Sequence, residues 1–265
     1  FISNVLFKEI NVNNSIQLKL VATHFLTQRE ENPAVSDLPK ELTLDSIDDA
    51  LEVQKLMIYL NNQTVYGWKC MLPLDDGSII LAPLFHAPIE STESCSLYTK
   101  NNKAVIEPEI AFVLDKDLDG NKTYTNEDVD AAFGKAHLAL ELIQNRFSQG
   151  YEATFIEKLA DGLFNQGVYL GPEIDKVKAY DASTVNIDIK QDALELNLAG
   201  KHPGGLAQSP LYWAINFLSS KGITLKAGQV FITGPYCGVV ELNTNEQTHI
   251  AYENLGAFNV TFLAR

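Results

Sequence analysis

Two stretches decide the fold: V-I-E-P-E-I-A-F-V-L, from Val105 to Leu114, and H-L-A-L-E-L-I-Q-N-R, from His137 to Arg146. Side chains two apart on a strand share a face. If Val105–Leu114 is extended, Glu107 and Glu109 stand side by side on one face, and Ile106, Pro108 and Ile110 pack on the other. In Leu138–Ile143 the leucines Leu138, Leu140 and Leu142 alternate with Ala139, Glu141 and Ile143, so a second strand carries Glu141 on its smaller-residue face. Two neighbouring carboxylates in so apolar a segment repel each other and lose hydration. A divalent cation supplies the opposite charge, and hard oxygen ligands suit magnesium, manganese or calcium. The other reading is an exposed strand edge with Glu141 at the surface. Both stand on the residues alone.

The totals bound the rest. A chain of 265 residues, 46% hydrophobic and 20% charged, makes one large globular domain or one domain with an appendage. A formal charge of -14 argues against nucleic acid or an anionic membrane surface as partner, since both reward Lys/Arg patches. No apolar run approaches the roughly 20 residues that span a bilayer. Cys70, Cys95 and Cys237 are scattered and lack metal-ligand spacing, which points to free thiols in a reducing, cytoplasmic compartment. The chain begins at Phe1, which leaves room for a removed leader.

In chain order, a helix is expected from Ser15, as N-cap, to about Leu26, then a polar loop from Gln28 to Leu44 containing Pro33 and Pro39. Ser46-Ile-Asp-Asp49 reads as a capping box opening a second helix that ends at Asn61-Asn62. Val65–Leu72 reads as a strand. Lys69 lies between Trp68 and Cys70, and Gly67 on the same face leaves either space for a ligand beside the ammonium or a route for it to reach solvent. Ser78–Leu84 is a second strand. His86 follows it, as a structural hydrogen-bonding residue or as a catalyst. Asp115-Lys-Asp117-Leu-Asp119-Gly120 opens like a calcium loop, but Asn126 stands where the bidentate Glu belongs, so it reads as an acidic turn. A short helix from Thr125 leads into the Glu141 strand. An irregular stretch after Arg146 reaches Ala160-Asp161-Gly162, where Asp161 caps a loop or belongs to a site. Gly167–Gly171 is a buried strand, Val185–Leu198 a hairpin, and Ser209-Pro210 an N-cap/N1 pair opening a helix closed by Lys221-Gly222. Val230–Thr233 is a strand, and His249–Leu263 forms two strands around Gly256. Helices dominate residues 1–64 and strands residues 65–265, an α+β organisation with a helical N-terminal segment and a β-rich domain.

The ordered blocks G-W-K, E-P-E-I-A-F-V-L, A-L-E-L-I-Q-N-R, L-A-D-G, G-V-Y-L-G, H-P, W-A-I-N-F-L, L-K-A-G-Q-V-F-I-T-G and L-G-A-F-N-V-T-F span about Leu51 to Phe262. Together they resemble the family of 2-keto-4-pentenoate hydratase, 2-oxohept-4-ene-1,7-dioate hydratase and 4-oxalocrotonate decarboxylase, within the fumarylacetoacetate hydrolase superfamily. The resemblance implies a mixed β-sheet roll, a homo-oligomer and a place in the breakdown of aromatic compounds. It implies that Glu107, Glu109 and Glu141 bind Mg²⁺ or Mn²⁺, that Lys69 is the active-site lysine, and that Asp161 is the aspartate of the family's A-D-N motif. The implied reaction is metal-dependent addition of water to a short 2-hydroxydienoic or 2-oxo-enoic acid such as 2-keto-4-pentenoate.

Several positions depart from the family pattern. The segment from Lys69 to Phe85 is shorter, and L-F-D-D-M reads L-F-H-A-P, with His86 where an acidic pair is usual. A-D-N reads Ala160-Asp161-Gly162, Pro235 follows Thr233-Gly234, and extra residues follow His202-Pro203. These departures keep three alternatives open: a 2-oxo diacid decarboxylase, an acylpyruvate-type hydrolase in which His86 activates water, and a 2-oxo acid binding protein without catalysis.

Overall fold

The computed structural model describes residues 2–30, 37–62, 64–90 and 93–265, with residues 2–13 and 30 as backbone. Pro33 and part of the expected polar loop lie outside the described residues. The helices are α1 (Ile2–Glu30), α2 (Ile47–Leu60), α3 (Asn126–Ala132), α4 (Phe155–Asp161), α5 (Lys176–Asp181) and α6 (Ser209–Ser220). The strands are β1 (Gly67–Cys70), β2 (Leu81–Leu84), β3 (Ile89–Glu90), β4 (Ser94–Leu97), β5 (Lys103–Leu114), β6 (Phe133–Ile143), β7 (Asn165–Ile174), β8 (Thr184–Gln191), β9 (Leu194–Lys201), β10 (Val230–Ile232), β11 (Val240–Asn243), β12 (Gln247–Tyr252) and β13 (Gly256–Ala264). They form two compact units, residues 1–64 with 145–164, and residues 65–144 with 165–265.

The first unit is helical. α1 runs through Ser15 instead of starting there. Asn and Ser cost a helix only tenths of a kcal/mol each, and apolar burial further along outweighs that. Val21, Ala22 and Phe25 of α1, Ala50, Val53 and Met57 of α2, and Leu159 and Ala160 of α4 form its interior. α2 opens as read from the sequence: the Asp49 N–H donates to Ser46 Oγ and the Ser46 N–H to Asp49 Oδ2, each at 3.1 Å. Such a cap contributes about 1 kcal/mol. α4 replaces part of the expected irregular stretch. Its start is a second capping box, Thr154 with Glu157, and Gly162 closes it.

The second unit contains a mixed eight-stranded sheet in the order β2-β1-β10-β5-β6-β7-β3, with β11 also paired to β5. It curls until β2 approaches β7. Leu84, Ala111, Ala139, Val168, Leu170, Val230 and Ile232 fill the inner face. A five-stranded sheet, β4-β13-β12-β8-β9, packs outside it, with Tyr169 stacked on Phe258 at 5.4 Å and Tyr252 Oη donating to the Ala139 carbonyl at 2.9 Å. The hairpin read at Val185–Leu198 is β8–β9. α6 begins one residue differently from the expectation: Gln208 is the N-cap, so Ser209 and Pro210 occupy the first turn. α5, β3, β4 and β11 fall where the sequence reading placed no element.

Pro108 sits inside β5, where a strand normally donates an N–H. Along one edge β5 pairs with β11 through residues 103–106 and with β10 through 111–113. Pro108 falls in the gap, and its carbonyl accepts the Tyr236 N–H at 3.1 Å. The missing donor therefore faces the place where β5 changes partner. Glu107 and Glu109 flank that gap and stay tied to β6.

Candidate active site

The register of β5 and β6 sets Glu107 directly opposite Glu141, and Glu109 opposite Ala139. By strand alternation all three carboxylates leave on the inner, apolar face of the curled sheet. Lys69 reaches the same face from β1, whose register runs through Ile232 of β10 to Ala111 of β5. One carboxylate oxygen from each of Glu107, Glu109 and Glu141 lies within 4.8 Å of the others.

Lys69 is 9% exposed, so its ammonium does not reach out to solvent. Nζ lies 2.9 Å from Glu141 Oε1 and 2.8 Å from Oε2. Glu141 Oε1 also accepts from Asn165 Nδ2 at 3.0 Å. Glu109 is fully buried: the Gly234 N–H donates to Oε2 at 2.7 Å, and Oε1 has no hydrogen-bond partner among the described residues. Burial and the charges of Glu141 and Glu107 push the Glu109 carboxyl well above its ordinary value, against the pull of Lys69 and the Gly234 N–H. Burial and Glu141 raise Glu107 to about 7. For Lys69, burial alone pulls the pKa down, but Glu141, Glu107 and Glu109 together hold it above the usual lysine value. With every group ionised, three carboxylates against one ammonium leave two negative charges.

Gly67 has a different purpose from the one read in the sequence. A Cβ there would lie 1.9 Å from the Val230 carbonyl oxygen. The missing side chain lets β1 and β10 pair closely, and β10 fills the space expected for a ligand.

Two further expected site residues are His86 and Asp161. His86 is exposed and lines a small cavity of about 20 Å³ with Leu142 and Gly167. Leu142 leaves β6 on the face opposite Glu141. Asp161 belongs to the helical unit, where Arg146 Nε and Nη2 donate to its two carboxylate oxygens at 2.8 Å each. Arg29 Nη2 donates to its backbone carbonyl. The acidic turn at Asp115–Gly120 is likewise occupied: Asp117 accepts from Lys226 Nζ at 2.8 Å and the Ala227 N–H at 2.9 Å, and Asp119 pairs with Lys122 at 2.5 Å.

Sequence reading missed Asn165 and Gly234. Asn165 opens β7 two residues before the glycine that was taken as the strand's start, and extending the strand to the preceding polar residue would have found it. Gly234 acts through its backbone N–H, which no residue type announces.

No family model matches the chain. It is 27% identical to the 2-oxo-hept-4-ene-1,7-dioate hydratase of Escherichia coli, over 89% of this chain and 93% of that one. It is 27% identical to the 2-hydroxyhexa-2,4-dienoate hydratase of Comamonas testosteroni, over 59% of this chain and only 59% of that enzyme's length. Among solved structures, 4-oxalocrotonate decarboxylase from Pseudomonas putida G7, complexed with magnesium and adipate, superposes with a TM-score of 0.71 at 18% identity, covering 94% of this chain and 98% of that one. A Yersinia pestis CO92 protein described as of the fumarylacetoacetate hydrolase family superposes with a TM-score of 0.51 at 16% identity, covering 74% and 91%. No helix among the described residues is long and apolar enough to cross a membrane. The chain thus has the α+β roll of these solved structures, and its sequence is similar to hydratases of 2-hydroxydienoic and 2-oxo-enoic acids.

Proposed function

We propose that this protein is a metal-dependent hydratase that adds water to a short 2-hydroxydienoic or 2-oxo-enoic acid. One observation carries the reading: three carboxylates converge on a buried face beside one ammonium, and Glu109 Oε1 has no donor among the described residues. That set fits one hard divalent cation, Mg²⁺ or Mn²⁺, held by Glu107, Glu109 and Glu141. The similarity to hydratases over most of the chain supports the reaction class. When bound, the cation supplies Lewis-acid stabilisation of negative charge on the substrate's 2-oxo oxygen.

The chain's own groups handle the proton. With 2-hydroxypenta-2,4-dienoate as substrate, the enol O–H proton is lost and C5 gains one, giving the conjugated 2-oxo-3-enoate. Water then adds its oxygen to C4 while C3 takes a proton, so the product is the 4-hydroxy-2-oxo acid. Lys69 Nζ, held as an ammonium and aimed by Glu141, gives a proton to C5, and the enol O–H proton then returns to Nζ. Asn165 fixes Glu141 from the other side. Asp161 takes no proton-transfer step, because its carboxylate is committed to Arg146. We further assign the protein to a reducing, cytoplasmic compartment, as a homo-oligomer with a small 2-oxo acid as its partner.

The test is turnover of 2-hydroxypenta-2,4-dienoate, followed as loss of dienol absorbance by the purified chain with Mg²⁺ or Mn²⁺, and abolished by a chelator. Carbon dioxide release from 4-oxalocrotonate without hydration would reassign the protein as a decarboxylase. Pyruvate from an acylpyruvate would make it a hydrolase. No turnover of any of these, with oxalate still bound in a metal-dependent way, would leave a 2-oxo acid binding protein.

A further inference from the structure

The loop Lys201-His-Pro-Gly-Gly205 lies against the segment that gives Glu109 its hydrogen-bond donor. His202 is 1% exposed. Its Nδ1 accepts the Gly204 N–H at 3.1 Å, so in the neutral ring the proton resides on Nε2, which lies 3.4 Å from Thr233 Oγ1. Burial lowers the ring's pKa to about 4, which keeps that tautomer in place at neutral pH. The ring also stands edge-on to Tyr236, with centroids 5.3 Å apart.

The next residue completes the clamp. A Cβ at Gly234 would come within 2.7 Å of Pro203 Cγ, and the backbone there has φ +127, so only glycine lets Pro203 pack this closely. The Lys201 N–H donates to the Tyr236 carbonyl at 2.8 Å, and the Tyr236 N–H reaches Pro108 of β5. The turn from Thr233 to Tyr236 is thus pinned between this loop and the strand of the glutamates. From it the Gly234 N–H projects to Glu109 at 2.7 Å.

We propose that His202 is a positioning residue for the carboxylate centre: through Thr233 it fixes the backbone N–H that aims Glu109, with Pro203 bracing the same turn. The inference rests on the cation reading given above. Groups that orient a metal's ligands typically contribute 10- to 100-fold in affinity.

Mn²⁺ binding to the purified chain, measured by titration calorimetry and by the electron paramagnetic resonance of free Mn²⁺, tests it. His202→Phe keeps the ring and its contact with Tyr236 but removes both hydrogen bonds, and is expected to weaken Mn²⁺ binding about 10-fold or more. His202→Gln, whose amide can donate toward Thr233, should recover most of that loss. Thr233→Val should weaken binding in the same direction, and the double variant should lose no more than His202→Phe alone, because both act through one contact. An Ile189→Ala control in the five-stranded sheet should lower the melting temperature and leave Mn²⁺ affinity unchanged. Wild-type affinity in a folded His202→Phe or Thr233→Val variant overturns the inference alone, as does additivity in the double variant. Absence of Mn²⁺ binding by the wild-type chain overturns the cation reading and this inference with it.

Discussion

Glu109 and Asp161 are both carboxylates with no exposed surface, yet their oxygens are treated in opposite ways. Asp161 receives two parallel hydrogen bonds from the Arg146 guanidinium, a bidentate fit that fills the carboxylate's strongest acceptor directions. Among the described residues Glu109 receives a single backbone N–H, keeps one oxygen without a donor, and faces two other acids. A buried charge that is fully paired is explained by the fold that pairs it. A buried charge left underpaired among like charges costs stability, and a ligand of opposite charge would offset that cost. The helical unit therefore reads as built around its ion pair, and the rolled sheet as holding acids for something that arrives.

Exchanging the fates of the two carboxylates tests this contrast most severely. Glu109→Ala should abolish Mn²⁺ binding and cut turnover at least 1000-fold while the protein stays folded, with metal-free stability unchanged or higher. Asp161→Ala should instead destabilise the protein by about 3–5 kcal/mol in urea unfolding, because it strands buried guanidinium charge. If Glu109→Ala unfolds the chain, or Asp161→Ala leaves stability intact, the distinction between the two sites fails.

The next effect is confined to chemistry. Lys69→Ala removes a cation from among the acids, so metal binding should persist or tighten, while turnover falls by roughly 10²- to 10⁴-fold, the usual contribution of a proton carrier. Steady-state rates at saturating Mg²⁺ alongside Mn²⁺ titrations separate the two quantities. Wild-type turnover would clear Lys69 of a catalytic part.

The smallest effect is a pH dependence of stability. Glu107 has a folded pKa near 7, above its unfolded value near 4.5, so the metal-free folded state binds the extra proton between those limits. The contribution of this group to stability is then fullest below about pH 4.5 and is lost as pH rises through 7, by about 3 kcal/mol for a shift of this size. Glu109 shifts in the same direction and adds to the trend. Thermal melts of chelator-treated protein from pH 5 to 8 should show the fall, and saturating Mg²⁺ should remove it. A flat profile without metal would mean that the acids are relieved some other way.

Alternation made much of this centre legible in the sequence. Glu107, Glu109 and Glu141 share a face because they sit in phase on strands whose other faces are apolar, and that phase is written in residue types. Local signals such as the Ser46 capping box and the β8–β9 hairpin were equally direct. What could not be read depends on backbone atoms or on distant partners. The Gly234 N–H has no side chain to mark it. Arg146 and Asp161 meet because α4 and the chain before it bring them together, and α4, with seven residues, is too short to establish a helical period. Its Thr154–Glu157 capping box was the available signal. Gly67 misled for a related reason: a missing side chain reads equally well as room for a guest or as room for a neighbouring strand.

That glycine sits two residues before Lys69 on the same strand. Any side chain there would drive β1 away from the Val230 carbonyl and carry the ammonium out of reach of Glu141. The separation between the ammonium and the acids beside it is thus set by an absent methyl group, at a position that touches neither.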